Sequence, residues 1–344
     1  MTHEPAHAAG PSTIMEMTSG LWVSKTLAAA LEVDVFGALA ERPGSTVEEL
    51  ASQLNLRRRP TRSLVLACAA LGLLIRSGDG YSNSALADRY LVRGRPDYFG
   101  GWVEFIDRHN YPGWMRLAES LRANRPTTWE PDQQQTLFED ADPVLLETFW
   151  EAMAAVSSVT AREVGKHVDL TEARSLLDVG GGGAAWDIEL CRMYPQLRAA
   201  VYDLPHVCEL TQAKIDAAGL EDRISTIPGD FFADDKLPDG YDLMVLSSIL
   251  HNWNDGDDRV LLDKCFAALP PGGRLIIGEL LIDDTEDGPL NAALMGLAMQ
   301  VEMWGRSFTE GELRTWLLEA GFATVDVVRF TAPVANGAVI ARKS

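Results

Sequence analysis

Ser175-Leu176-Leu177-Asp178-Val179-Gly180-Gly181-Gly182-Gly183-Ala184 is the stretch that decides the fold. A short apolar run that ends in four glycines reads as a buried strand turning into a helix through bare backbone. Glycine accepts positive φ there and removes the Cβ that would keep a ligand away. The expected ligand is a nucleotide-like cofactor.

On the C-terminal side, strands are expected at 175–180, 198–204, 224–228, 241–249 and 273–282, with helices between them. This alternation predicts a doubly wound α/β domain with a mostly parallel sheet. After a helical insert at 290–321 come Val325 to Phe330 and Ala338 to Ala341. The gap between them is too short for a helical crossover, so the sheet should close with an antiparallel hairpin. On the N-terminal side, Leu21 to Leu39 has helical spacing, Thr46-Val47-Glu48-Glu49 is a capping box, and Arg62 to Leu74 reads as a third helix. Residues 75–81 follow as a small hairpin, which completes a winged-helix pattern. The expected organisation is a disordered tail at 1–14, a winged-helix-like dimerisation domain at 15–100, a helical linker at 101–170 that contributes to a substrate pocket, and a cofactor-binding catalytic domain at 171–344.

Composition narrows the function. The 344 residues are 47% hydrophobic with a net charge of −20, which argues against nucleic acid as a partner and favours a dimer interface as the use of the winged helix. No apolar run is long enough to predict a membrane span, and the N-terminus lacks a signal-peptide pattern. Four cysteines with no metal spacing suit a reducing cytoplasm, and no metal site is expected.

Gly180, Gly182 and Ala185 satisfy G-x-G-x-x-G/A, and Asp203 ends the second strand where an acid can hold two ribose hydroxyls. NAD and S-adenosylmethionine both have such a ribose. Three features favour the second: the closing antiparallel hairpin, Gly229-Asp230-Phe231-Phe232 as an acid and ring for adenine, and Asp178 as a carboxylate for a cationic amino-acid tail.

Leu177-Asp178-Val179-Gly180-Gly181-Gly182, Tyr202-Asp203-Leu204-Pro205, Gly229-Asp230-Phe231-Phe232, His251-Asn252-Trp253-Asn254-Asp255 and Pro271-Gly272-Gly273-Arg274-Leu275 stand in the order and spacing of class I methyltransferases. More narrowly, nearly the whole chain resembles the dimeric O-methyltransferases of plant phenylpropanoid and bacterial natural-product pathways. The resemblance implies S-adenosylmethionine as cofactor, S-adenosylhomocysteine as product, a homodimer, and a small, flat acceptor. The candidate cofactor contacts are Asp178, Gly180, Gly182, Asp203, Leu204, Gly229, Asp230, Phe231 and Ser247. The family pattern Phe-x-x-x-Met corresponds to Phe149 to Met153, so Phe149, Trp150 and Met153, with Asn252, Met295 and Met299, are the candidate acceptor wall. Where the family has Thr-Gly, this chain has Gly183-Ala184.

His251 follows the fourth strand, so topology alone puts it at the ligand end of the sheet. The resemblance gives it the role of general base, with Glu279, at the end of the fifth strand, as the carboxylate that orients it. The family's second glutamate is missing, because Ser307 stands in its place. Glu302 shares a helix face with Met295 and Met299 and is the expected substitute: facing the pocket, it would steer the histidine or bind a polar group of the substrate. His109, Asn110, Tyr111 and Trp114 are further candidates, although nothing in the sequence places that segment. Methylation of a carboxylate or an activated carbon, and a non-catalytic winged-helix regulator, are the readings left open.

Overall fold

Pro11 occupies the first turn of the opening helix, where its fixed φ suits the helix and its missing N–H is not needed. That helix runs Pro11–Glu32, so residues 11–14, expected in a disordered tail, are helical. The computed structural model describes residues 10–131 and 143–344, with backbone alone for 143–149. It divides into two units, Met1–Arg108 and His109–Ser344. The stretch expected as a separate linker at 101–170 is therefore divided between them.

In the first unit, β1 (Ser45–Thr46), β2 (Leu74–Ser77) and β3 (Gly80–Asn83) form a small sheet in the order β1-β3-β2. Gly80 is required by the close approach of β1: a Cβ there would sit 2.0 Å from the Gly44 carbonyl oxygen. The capping box at Thr46 and Glu49 is formed. Val35 and Phe36 are buried, whereas Ile14, Met15, Met17, Leu21, Trp22 and Val23 are exposed. The unpartnered apolar surface thus lies near the start of the Leu21–Phe36 stretch and ahead of it.

The second unit carries β4 (Ser175–Val179), β5 (Arg198–Asp203), β6 (Ile224–Pro228), β7 (Leu243–Ser247), β8 (Arg274–Glu279), β9 (Thr324–Arg329) and β10 (Gly337–Arg342). They form one sheet in the order β6-β5-β4-β7-β8-β10-β9. All neighbours are parallel except β10, which runs antiparallel to β8 and β9. The expected hairpin closure is present. Buried clusters cover both faces of the sheet, one including Leu177, Leu246 and Ile277, the other Leu176, Val245 and Ile276. Successive residues of each central strand point to opposite faces, so these strands read as continuous apolar runs. The connections leave β4 in one direction toward β5 and β6, and in the other toward β7 and β8. The crevice at the carboxyl ends of β4 and β7 is the topological switch point where ligands bind in such sheets. The expected helical insert is two helices, Leu290–Glu302 and Glu310–Glu319, the second opened by the capping box of Thr309 and Glu312. No helix among the described residues is long and apolar enough to cross a membrane.

Candidate active site

The glycine loop leaves β4 with Gly180 at φ +73° and Gly182 at φ +54°. A Cβ on Gly180 would lie 2.6 Å from Ile249 and 3.5 Å from the Phe231 ring, and one on Gly182 would lie 2.7 Å from the Trp150 ring. These contacts bring the segments that follow β6 and β7, and the Trp150 ring, close to the glycine loop that follows β4. They also assign Trp150, expected on the acceptor wall, to the glycine loop. Ala184 adopts the left-handed conformation at φ +58° that the family's glycine would take freely, a cost of about 1–2 kcal/mol. Its buried methyl group offsets part of this by packing with Trp186 and Leu190.

Asp203 is already organised. Its Oδ2 accepts the Gly182 N–H at 2.9 Å and its Oδ1 accepts the Leu204 N–H at 2.7 Å. Burial raises its pKa, and these backbone hydrogen bonds oppose the rise. Gly229 lies against the Tyr202 ring, where a Cβ would come within 2.3 Å. Asp230 accepts the N–H groups of Phe232 and Ala233 at 2.8 and 3.2 Å, which holds the Phe231 backbone beside the glycine loop. Phe231 and Phe232 both meet the Trp253 ring edge-on. Ser247, at the end of β7, has a buried hydroxyl oxygen with no hydrogen-bond partner. A bare loop, a fixed acid, an aromatic face and a buried hydroxyl without a partner fit an adenosine-bearing cofactor.

Beneath the loop lies Asp178, 2% exposed, beside the fully buried Asp187. Burial, and then the charge of Asp187, push the Asp178 carboxyl well up, while burial takes Asp187 to about 6. Two carboxyls side by side without solvent oppose each other's ionisation. Asp187 went unnoticed in the sequence because it reads as an ordinary acid in the first turn of the helix Ala185–Met193.

The reacting end is built on the turn Leu250–Asn252 after β7. His251 Nδ1 lies 2.5 Å from Glu279 Oε2, and both residues are buried, at 7% and 2% exposure. Burial alone would lower the imidazole pKa, but the charge and hydrogen bond of Glu279, with the charge of Glu302, outweigh it and raise it. Asn252 turns its amide onto the Ser248 and Ile249 carbonyls and so stiffens this turn. Asp255 does not join the histidine. It sits in the first turn of the helix Asp255–Ala268, capped by Asn254, and pairs with Arg306 through both oxygens at 3.0 and 3.1 Å.

Glu302 is 7% exposed, with its Oε1 accepting the Asn110 amide at 2.7 Å. Burial raises its pKa to about 7, against the charge of His251. Ser307 donates to the Ala292 carbonyl at 2.8 Å and closes a helix contact instead. Met299 and Met303 are buried with Trp129, and Met295 packs against them. Met153 is half-buried on the helix Pro143–His167. Phe149 is on the same helix, but its side chain lies outside the described residues. Among the described residues there is no cluster of metal-ligating side chains.

Asp258 is a further buried acid that sequence reading missed. It is fully buried, and neither carboxylate oxygen has a hydrogen-bond partner. Burial, followed by the charges of Glu279, Asp255 and Asp257, lifts its pKa to about 9, against the pull of Arg306. The unfolded chain releases this proton near pH 4, whereas the folded chain keeps it to about pH 9. Its contribution to stability is therefore complete below the unfolded value and declines as pH rises, by at most about 1.4 kcal/mol per unit. Asp258→Asn should lie close to wild type in Tm at pH 5 and several degrees above it at pH 8. A gap that does not widen with pH would show that this carboxyl is not held neutral.

Residues 114–323 match the O-methyltransferase domain family, and residues 15–93 match the O-methyltransferase dimerisation domain. The chain is 44% identical over 340 residues to 3-hydroxy-5-methyl-1-naphthoate 3-O-methyltransferase of Streptomyces sahachiroi, covering 99% of this chain and 97% of that one. It is 33% identical to the tetracenomycin polyketide synthesis 8-O-methyl transferase TcmO of Streptomyces glaucescens, across 95% of this chain and 96% of the other. Human N-acetylserotonin methyltransferase, solved in complex with S-adenosylmethionine, superposes with a TM-score of 0.87 at 28% identity, covering 99% of each chain. With its glycine cradle, terminal hairpin and dimerisation domain, this chain belongs to the S-adenosylmethionine-dependent O-methyltransferases.

Proposed function

We propose that the enzyme methylates a hydroxyl on a small aromatic natural-product intermediate, with His251 as general base and Glu279 as the residue that orients it. The observation that carries this reading is the 2.5 Å contact between His251 Nδ1 and Glu279, both buried at the carboxyl ends of adjacent strands. With Nδ1 committed to the carboxylate, Nε2 is the basic nitrogen. It takes the hydroxyl proton, and Glu279 stabilises the imidazolium that forms. When bound, S-adenosylmethionine supplies an electrophilic methyl group on a sulfonium. Gly180, Gly182 and Asp203 with Leu204 would hold its ribose and tail, and Gly229, Asp230, Phe231 and Ser247 its adenine. Asp178 would face the cationic tail.

The relatives named for a hydroxynaphthoate and a tetracenomycin polyketide support a fused-ring phenol as acceptor. Met295, Met299 and Met153 suit such a ring, because methionine is unbranched and adapts to a flat surface. The exposed Ile14, Met15, Met17, Leu21, Trp22 and Val23, within or beside the matched dimerisation domain, support a homodimer. Four free cysteines suit a reducing cytoplasm.

The test is product identity. Hydroxynaphthalenes, hydroxynaphthoic acids and carboxylic acids without a hydroxyl are each incubated with enzyme and cofactor. Aryl methyl ethers are expected by mass spectrometry and NMR. Methyl esters or C-methyl products alone would reject the hydroxyl reading.

A further inference from the structure

Glu302 is a costly residue where it stands. A buried carboxylate is strongly unfavourable without a cation or several donors. Here it has one amide donor, Asn110, and neither Lys nor Arg pairs with it among the described residues. It is the last residue of the helix Leu290–Glu302, where the helix dipole also disfavours a negative charge. Met295 and Met299 lie on that helix and Met303 just beyond its end, with Trp129 packed on the same cluster.

Two further observations show that the carboxylate is deliberately held. Trp129 donates its indole N–H to the Glu302 backbone carbonyl at 2.6 Å, which fixes the end of the helix. Asn110 gives its amide N–H to Glu302, while its own Oδ1 is buried with no hydrogen-bond partner. An orphaned buried oxygen is costly to keep. Asn110 lies at the end of the π-helical turn Ile106–Asn110, an irregularity common at functional sites.

Glu302 does not serve the histidine through a hydrogen bond. His251 Nδ1 belongs to Glu279, and the influence of Glu302 on the imidazole is through its charge. Nevertheless the two are neighbours. The Trp304 N–H reaches the Asn252 carbonyl at 3.4 Å, and Gly305 lies so close that a Cβ would come within 2.0 Å of the His251 carbonyl oxygen. Glu302 Oε2 has no hydrogen-bond partner among the described residues.

We propose that Glu302, held in place by Asn110, binds a second O–H or N–H donor on the acceptor while His251 takes the proton of the hydroxyl that is methylated. The inference rests on the hydroxyl reading above and deepens it: the preferred acceptor is an aromatic ring system with two donors, such as a dihydroxyarene or a hydroxyarene carboxamide. A ring carrying one hydroxyl leaves the carboxylate buried without its partner. The penalty for that is the reason the site discriminates.

The test compares kcat/KM for naphthols and the corresponding dihydroxynaphthalenes, with a hydroxynaphthoic acid as a third probe, at saturating cofactor. Wild type should prefer a dihydroxynaphthalene over its parent naphthol by at least about tenfold. Glu302→Leu should reduce that preference to within about threefold, mainly by lowering the value for the diol. Glu302→Gln, which keeps the shape and the Asn110 contact if the leucine variant folds poorly, should retain part of the preference. Asn110→Ala should raise KM for the diol more than for the naphthol. Equal losses for both acceptors in the Glu302 variants would mean that Glu302 acts through His251, and would overturn the proposal. So would a wild-type enzyme without preference, or a preference for the hydroxynaphthoic acid that disappears with Glu302. If no phenol in the panel yields a methyl ether, the hydroxyl reading itself fails; ether formation without discrimination sinks only the second anchor.

Discussion

His251→Ala should lower kcat by about 10²–10⁴-fold and leave the affinity for S-adenosylmethionine within about twofold. The range is what a positioned base contributes when it accepts a proton in the transition state, and the separation of the two readouts follows from the geometry. The proposed cofactor contacts lie on the ends of β4, β5 and β6 and, through Ser247, on the end of β7, whereas His251 stands on the turn beyond β7 and pairs with Glu279. The pH profile adds a sign. The imidazole pKa is raised, and a base works only in its neutral form, so kcat/KM should climb with pH through a limb above the ordinary histidine value near 6.5. Glu279→Gln removes the charge that raises it, so the limb should shift to lower pH while the maximum rate falls. Removing His251 leaves Glu279 buried without its cation, a loss of about 3–5 kcal/mol of stability. The double variant His251→Ala/Glu279→Gln should recover the fold and remain inactive. Unchanged turnover in His251→Ala would show that the acceptor needs no base, as a carboxylate does not. An equal loss of cofactor binding would place the histidine in the cradle.

The parts of this site that were legible in the sequence are those set by local pattern. The strands ended near their expected positions because each is a short apolar run bounded by glycine, proline or an acid. Asp203, Glu279 and His251 could be placed from the strand that each follows. Both capping boxes formed because their partners are three residues apart. What escaped was set by contacts distant in sequence. Asn110 meets Glu302 across 192 residues, and no periodicity links the two. The burial of Glu302 is not fixed by its helix pattern, because that helix has apolar residues on more than one face. Asp258 hides in an acidic run, Asp255-Gly256-Asp257-Asp258, that reads as a solvated helix start. Trp150 shares a helix with the expected acceptor wall, yet its ring lies on Gly182, a contact that only the packing of that helix against the loop creates.

That contact supports the second large effect. Gly182→Ala should weaken S-adenosylmethionine binding by about a hundredfold with little change in the secondary structure. Gly182 has φ +54°, so any Cβ carries the left-handed penalty of about 1–2 kcal/mol. The same Cβ would lie 2.7 Å from the Trp150 ring, a separation that requires the loop or the indole to move. The loop is poorly able to yield. The Gly182 N–H is bound to Asp203, and its carbonyl accepts the Thr211 hydroxyl. Movement of Gly182 therefore drags Asp203, the acid proposed to hold the ribose, out of place, and a displacement of that kind is costly in a preorganised site. The two causes can be separated. In Gly182→Ala/Trp150→Ala the clash is gone and the backbone penalty remains, so about tenfold of the lost affinity should return. Gly78 provides the reference: it has φ +59° with nothing near its Cβ position, so Gly78→Ala should cost about 1 kcal/mol of stability and no cofactor affinity. Full binding by Gly182→Ala, measured by titration calorimetry with the cofactor, would mean that the bare backbone here is not what the ligand requires. The role of the four glycines would then be confined to the turn itself.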